Sequence, residues 1–182
     1  MSFRVIYDAN ALFGALQRSI LVRVGVHQTK FNLRVFVTHE ILEEMTTAVR
    51  DKYPNFSAEQ GDSLRAAIVD SVSDCLVSDY EYLLPTVEIS DPDDRHVLAA
   101  AIHSQSQAIV TDDRDFDHVS LEPHDLVAQS PDDFLTDLFD LNPMATRQLV
   151  AEEASLRDKT IADLIDLLEE RGLIRFAQHL KR

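Results

Sequence analysis

"DPDDRHVLAAAIHSQSQAIVTDD", residues 91–113, sets a helix directly before a strand and brackets the pair with acids. Asp91 is a capping residue, Pro92 suits a first helical turn, and "DDRHVLAAAIHS" continues as helix. "QAIVT", 107–111, is a short apolar run of the buried-strand type, and the polar "DDRDFD", 112–117, follows at once. A helix feeding a fully apolar strand predicts an α/β chain with a mostly parallel sheet covered on both faces.

The pattern repeats outward from that stretch. "FRVIYD", 3–8, is β-rich and ends in Asp8, and "LRVFVT", 33–38, is a second such run. "ANALFGALQRSILVRVGVH" between them reads as helix. Thr38 caps a helix that buries Ile41, Leu42, Met45 and Val49 and stops before Pro54. Ser57, with Glu59 and Gln60 in the first turn, opens another over residues 57–75. "TVEI", 86–89, after Pro85, reads as a short strand, and "HDLVAQ", 124–129, as another. Ser130-Pro131-Asp132-Asp133 is a strong helix start. After residue 141 the chain is helical only, ending with a Thr160 cap, a Gly172 stop and "LIRFAQHL". We expect a domain over residues 1–140 and a helical extension over 141–182, either packed on the domain or serving as a docking surface.

With 182 residues, 45% of them hydrophobic, one α/β domain with a helical addition has enough material for a core. No apolar run approaches the ~20 residues of a membrane span, Asp8 comes too early for a secretory signal, and the one cysteine, Cys75, cannot pair internally, so a soluble cytoplasmic protein is expected. The net charge of −15 is uneven: residues 1–56 carry 7 basic and 5 acidic side chains, residues 57–140 carry 3 and 20, and residues 141–182 carry 7 of each. Such a field repels nucleic acid at long range, so a phosphate substrate would need bridging cations or a local basic patch.

The acids fall where chemistry gathers in parallel sheets, at the carboxyl ends of strands. Asp8 ends one strand, with Asn10 two residues on. Glu43 and Glu44 lie on the helix after another. Asp94 starts the next helix, and Asp113, flanked by Asp112 and Asp115, follows a further strand. Carboxylates drawn together repel and raise one another's pKa unless a cation compensates. Hard oxygen ligands of this kind suit Mg²⁺ or Mn²⁺, and two such ions ~4 Å apart support in-line displacement at a phosphodiester. Taken alone, Asp93 and Asp94 also have a plain structural reading, since acids at helix N-termini complement the dipole, and Glu43 and Glu44 read as ordinary helix-surface acids. Their order and flanks together favour a site.

These segments resemble the PIN-domain nuclease family. "VIYDANAL" resembles its opening strand, "THEILEEM" its second motif, "DPDDRHVLAAAI" its third and "IVTDDRDF" its fourth, with Asp112 where Asn is usual. The resemblance covers about residues 3–135. It implies a three-layer α/β/α fold and site acids at Asp8, Glu44, Asp94 and Asp113, with Asp112, Asp115 and Glu43 as further candidates and with Asn10 and Thr111 as supporting polar groups. It also implies a Mg²⁺- or Mn²⁺-dependent endoribonuclease. Many bacterial members are toxins of VapBC-type pairs that cut tRNA or ribosomal RNA. Such a toxin is held by a small, basic, DNA-binding antitoxin, and a homodimer is common.

RNA contacts are expected from Arg18 and Arg23, with Lys30 and Arg34 in the same net-positive segment, and from Arg95 and Arg114 beside the acids, unless the last two pair with neighbouring carboxylates. His96, His103, His118 and His124 have no zinc spacing; His96 and His103 share a helix face and read as packing. A haloacid-dehalogenase-like phosphatase also opens on a strand ending in Asp. It wants a second Asp where Asn10 stands and a Lys that residues 76–135 lack. The same residues are compatible with a catalytically silent PIN-like binding module, or with a PIN nuclease of RNA processing outside a toxin–antitoxin system.

Overall fold

In the computed structural model, which describes residues 2–182, four strands form one sheet in the order β2-β1-β3-β4, and every pairing is parallel. β1 (Phe3–Tyr7) and β3 (Ala108–Val110) are the inner strands. Consecutive side chains Val5, Ile6 and Tyr7, and all three of β3, are buried. Since neighbouring strand residues point to opposite faces, both faces of the sheet are covered. β2 (Leu33–Phe36) and β4 (Val127–Gln129) flank them. Beyond β2, Val37 pairs with Leu76 in a single parallel bridge.

Local chemistry sets the helix starts. α1 (Ala15–Val26) follows β1, and α2 (His39–Lys52) starts where the buried Thr38 hydroxyl accepts from the Ile41 amide at 3.0 Å. α3 (Ala58–Ser71) opens on a reciprocal box between Ser57 and Gln60. α4 (Arg95–His103) buries Val97 to Ala101 completely. α5 (His118–Leu121) is a single turn. α6 (Pro131–Leu141) is capped by Ser130, α7 (Pro143–Leu156) by Asn142 and α8 (Ile161–Glu170) by Thr160. Gly172, at φ +95°, reverses the chain into α9 (Ile174–Leu180), a backbone region that glycine enters without strain.

Three expectations need correction. The run 86–89 forms no strand: a 3-10 turn over Glu81–Thr86 contains Pro85, and Val87 and Ile89 then bury as single anchors. Among the described residues no strand lies alongside to pair with this run. The helix expected from residue 9 begins only at Ala15, because residues 9–13 turn around the Asp8 carboxylate, which takes the Ala9 amide. Local side-chain bonds of this kind compete with helix. Asp94 ends a separate 3-10 turn, Pro92–Asp94, and stands at the N-cap position of α4 rather than inside its first turn.

The C-terminal helices pack on the sheet domain. α7 lies against α1, α6 and α8 both meet α9, and Leu164, Leu168, Phe176 and Ala177 are wholly buried. Asp132 on α6 accepts the Arg175 and Phe176 amides, both at 2.9 Å, and so caps α9. At the α1–α7 contact the buried Glu153 accepts from Ser19 Oγ (2.8 Å), Arg23 Nε (2.7 Å) and Arg157 Nε (2.5 Å).

Candidate metal-binding cleft

The pairing of Tyr7 with Val110 brings the carboxyl ends of β1 and β3 side by side, so Asp8 and Thr111 are neighbours across the sheet. The Asp8 amide donates to the Val110 carbonyl at 3.1 Å. Asp8 is only 4% exposed, and its carboxylate is held by three donors. Oδ1 accepts from the Ala9 amide (2.6 Å), and Oδ2 accepts from Asn10 Nδ2 (2.5 Å) and Thr111 Oγ1 (2.8 Å). Thr111 Oγ1 in turn accepts from Asn10 Nδ2 and from the Asp113 amide, at 2.8 and 3.0 Å. Asn10 Oδ1 accepts from the Asp112 amide at 3.0 Å. The small residues Asn10 and Thr111 therefore clamp the loop after β3 onto the end of β1. Within that loop Asp113 Oδ1 accepts from the Asp115 amide (2.9 Å), a local turn that presents Asp113.

A hollow of about 360 Å³ opens there, lined by Asp8, Asn10, Phe13, Glu44, Asp94 and Asp113 together with Ala9 and Ala48. Four acids from four separate segments converge on it: the end of β1, the middle of α2, the start of α4 and the loop after β3. Another hollow of similar size is lined by Arg18, Arg23 and Arg157.

The charges strain against one another. Burial pushes the Asp8 carboxyl upward, and its hydrogen bonds to Thr111 and Ala9 only partly counter this. Asp94 is pushed up to about 7, first by burial and then by the charges of Asp8, Asp113 and Asp91. No Lys or Arg lines the hollow. The nearest compensation is His96, a buried imidazole with Nε2 3.0 Å from Glu44 Oε1 and Nδ1 3.6 Å from Glu40 Oε2. Neither contact is aligned as a hydrogen bond. Burial pulls the His96 pKa down, but Glu44, Glu40 and Asp8 outweigh it, and the net direction is up. Hard oxygen donors with an unbalanced negative field fit a hard divalent cation. Among the described residues the tightest acidic sets are Asp91, Asp94 and Asp115, and Glu40, Glu44 and His96, each with ligand atoms within 4.8 Å of one another. Each set shares one residue with the cleft lining.

The remaining candidates separate by position. Glu43 lies in a different groove with Arg50 and Arg65, while Glu44 lines the cleft. Asp112 is outside the lining and Asp113 inside it. Arg18 donates to the Leu12 and Phe13 carbonyls (2.7 and 2.9 Å), and Arg23 is committed to Glu153 and Glu152; neither lines the cleft. Arg95 and Arg114 are exposed, and among the described residues neither forms an ion pair, so they do not pair with the neighbouring carboxylates. His103 is exposed against Tyr82, so the shared helix face hid two different fates. His96 and Glu40 are the site groups that sequence reasoning missed. The available signal was the position of His96, two residues past Asp94.

The family model for the PIN domain matches residues 4–115, and that for the VapC50 C-terminal domain matches residues 131–182. A protein of Mycobacterium tuberculosis (strain ATCC 25618 / H37Rv), named "Putative ribonuclease VapC50", is 43% identical over 58 residues. That alignment covers 31% of this chain and 34% of the relative, about a third of the relative's length. No solved structure matches the chain.

Proposed function

The chain belongs to the PIN-domain family, and from that premise we propose that it is a Mg²⁺- or Mn²⁺-dependent endoribonuclease, the toxin of a toxin–antitoxin pair, acting on tRNA or ribosomal RNA. The observation that carries this reading is the convergence of four acids from four segments on one cleft without a lysine or arginine among them. The ribonuclease name of the relative supports it.

Asp8, Glu44, Asp94 and Asp113 would hold the cation. When bound, it supplies Lewis acidity at the phosphate and lowers the pKa of water. The protein's own part is orientation. Asn10 and Thr111 hold Asp8 in one rotamer, and Thr111 also holds the amide of Asp113. His96 lies against Glu44, with Nε2 3.0 Å from its Oε1. Near neutral pH the Asp94 carboxyl carries a proton part of the time, and ligation requires its loss, so cation affinity rises with pH through about 7. A protein of net charge −15 suits a basic antitoxin. Residues 1–140 form the nuclease unit in this reading, and 141–182 an extension that adds surface to it.

The test is cleavage of end-labelled tRNA and ribosomal RNA with Mg²⁺, Mn²⁺ or EDTA, comparing the unaltered protein with Asp8→Asn and Asp94→Asn. Discrete cuts that need metal and disappear in both variants are expected. Cuts that survive both substitutions, or none under any condition, would leave a binding module in place of an enzyme.

A further inference from the structure

A second groove, of about 370 Å³, continues from the acid cleft, and the C-terminal helices build one of its walls. Phe13 lines both hollows, so they adjoin. α2 also runs from one to the other: Glu44 and Ala48 line the cleft and Lys52 the groove. Spacings of four residues keep these on one helix face, about 12 Å end to end.

The groove differs from the cleft in chemistry. Lys52 Nζ lies 5.1 Å from the Phe13 ring centroid and 6.0 Å from that of Tyr53, which is 52% exposed. From the extension come Arg157, Leu167 and Arg171. Arg157 spends its Nε on Glu153 and keeps a third of its side chain exposed. Lys52 and Arg171 have no carboxylate partner among the described residues. On a chain of net charge −15, with so much acid between residues 57 and 140, cations without a carboxylate partner beside the exposed Tyr53 ring and the half-buried Phe13 ring are a local exception. Cations along a groove with rings for stacking are what a single strand needs: the cations take phosphates and the rings take bases without regard to sequence.

We propose that this groove is the track for single-stranded RNA leading away from the acid cleft, with Lys52, Arg157 and Arg171 on phosphates and Phe13 and Tyr53 on bases. The C-terminal helices are then part of the substrate site. This rests on the endoribonuclease reading above and extends it. It also says why a repulsive protein would hold RNA on one side of the cleft: this side supplies the local basic patch.

The experiment is Mn²⁺-supported cleavage of an unstructured 20-nucleotide RNA and of a 4-nucleotide RNA of the same central sequence, across a KCl series. The unaltered full chain is compared with Lys52→Gln, Arg171→Gln, Arg171→Lys and Tyr53→Ala, with melting curves to verify folding. The preference for the long RNA, as a ratio of kcat/KM values, should fall about tenfold in Lys52→Gln and Arg171→Gln. The slope of log kcat/KM against log salt should become shallower by about 0.7 for each lost phosphate contact. Arg171→Lys should restore most of that slope, and Tyr53→Ala should lower the length preference with the slope unchanged. An unmoved length preference in a chain that still cuts RNA overturns the track alone and leaves the groove to an acidic protein segment. Failure of the unaltered chain to cut either RNA removes the endoribonuclease reading and the track with it.

Discussion

Asp112 and Asp113 are adjacent acids with opposite surroundings, and that difference makes a residue-scale prediction. Asp113 lines the cleft, and its amide is held by Thr111. Asp112 lies outside, where burial and the charges of Asp132 and Asp133 raise its pKa. Asp113→Asn should lower metal-dependent cleavage by at least about a hundredfold, and Asp112→Asn by far less. Thr111→Val removes one bond to Asp8 and the anchor of Asp113 together, and should cost about 10–100-fold in metal affinity, as lost orienting contacts do. Cleavage rates and a Mn²⁺ titration check all three; equal losses in the two Asp variants would contradict the assignment. Asp8, Asp94 and the acids after β3 could be read from sequence because each follows a strand or opens a helix. For His96 the only signal was its position two residues past Asp94, because its surroundings depend on α2 bringing Glu40 and Glu44 against it.

Between elements, the contact of α1 with α7 turns on one buried carboxylate. Burial raises the Glu153 pKa, but Arg23, Arg157 and Ser19 outweigh it, and the net direction is down. A carboxyl depressed by folding adds stability that is fully present above its ordinary 4.5 and is lost as pH falls through the folded value. Arg23→Ala leaves the charge buried with two partners and should cost about 3 kcal/mol at pH 7, measured by urea unfolding. The deficit should shrink as pH falls below 4; a deficit independent of pH would mean lost packing instead of lost pairing. Helix starts such as Thr38, Ser57, Ser130 and Thr160 were legible in sequence because capping is local. The α1–α7 contact was not, since its ion pairs join residues more than 125 positions apart. The apolar run 86–89 misled for the converse reason: two buried side chains look the same whether or not a strand lies alongside to pair with.

For the whole molecule the acid cleft works against folding until something positive enters it. The Asp94 carboxyl is raised to about 7 from an ordinary 3.8. A raised acid binds more protons folded than unfolded between those values, so stability falls with rising pH across that window, and the penalty is complete above about 7. This slope opposes that of Glu153, whose contribution is lost only at lower pH. A bound cation reverses the sign by favouring the ionised form. At a hundredfold excess over its Kd it should add about 2.7 kcal/mol, roughly 5–10 °C in Tm for a chain of this size. Asp94→Asn should do two things at pH 7.5: raise the metal-free Tm by relieving repulsion, and abolish most of the shift on adding Mg²⁺ or Mn²⁺. Scanning calorimetry at pH 5.5 and 7.5, with each ion and with EDTA, measures both. At pH 5.5, where Asp94 is largely protonated, the variant's metal-free advantage should narrow. A variant less stable than the unaltered chain at both pH values, with its metal response intact, would show that Asp94 acts as a helix cap and that the cation, if bound, is held by other acids.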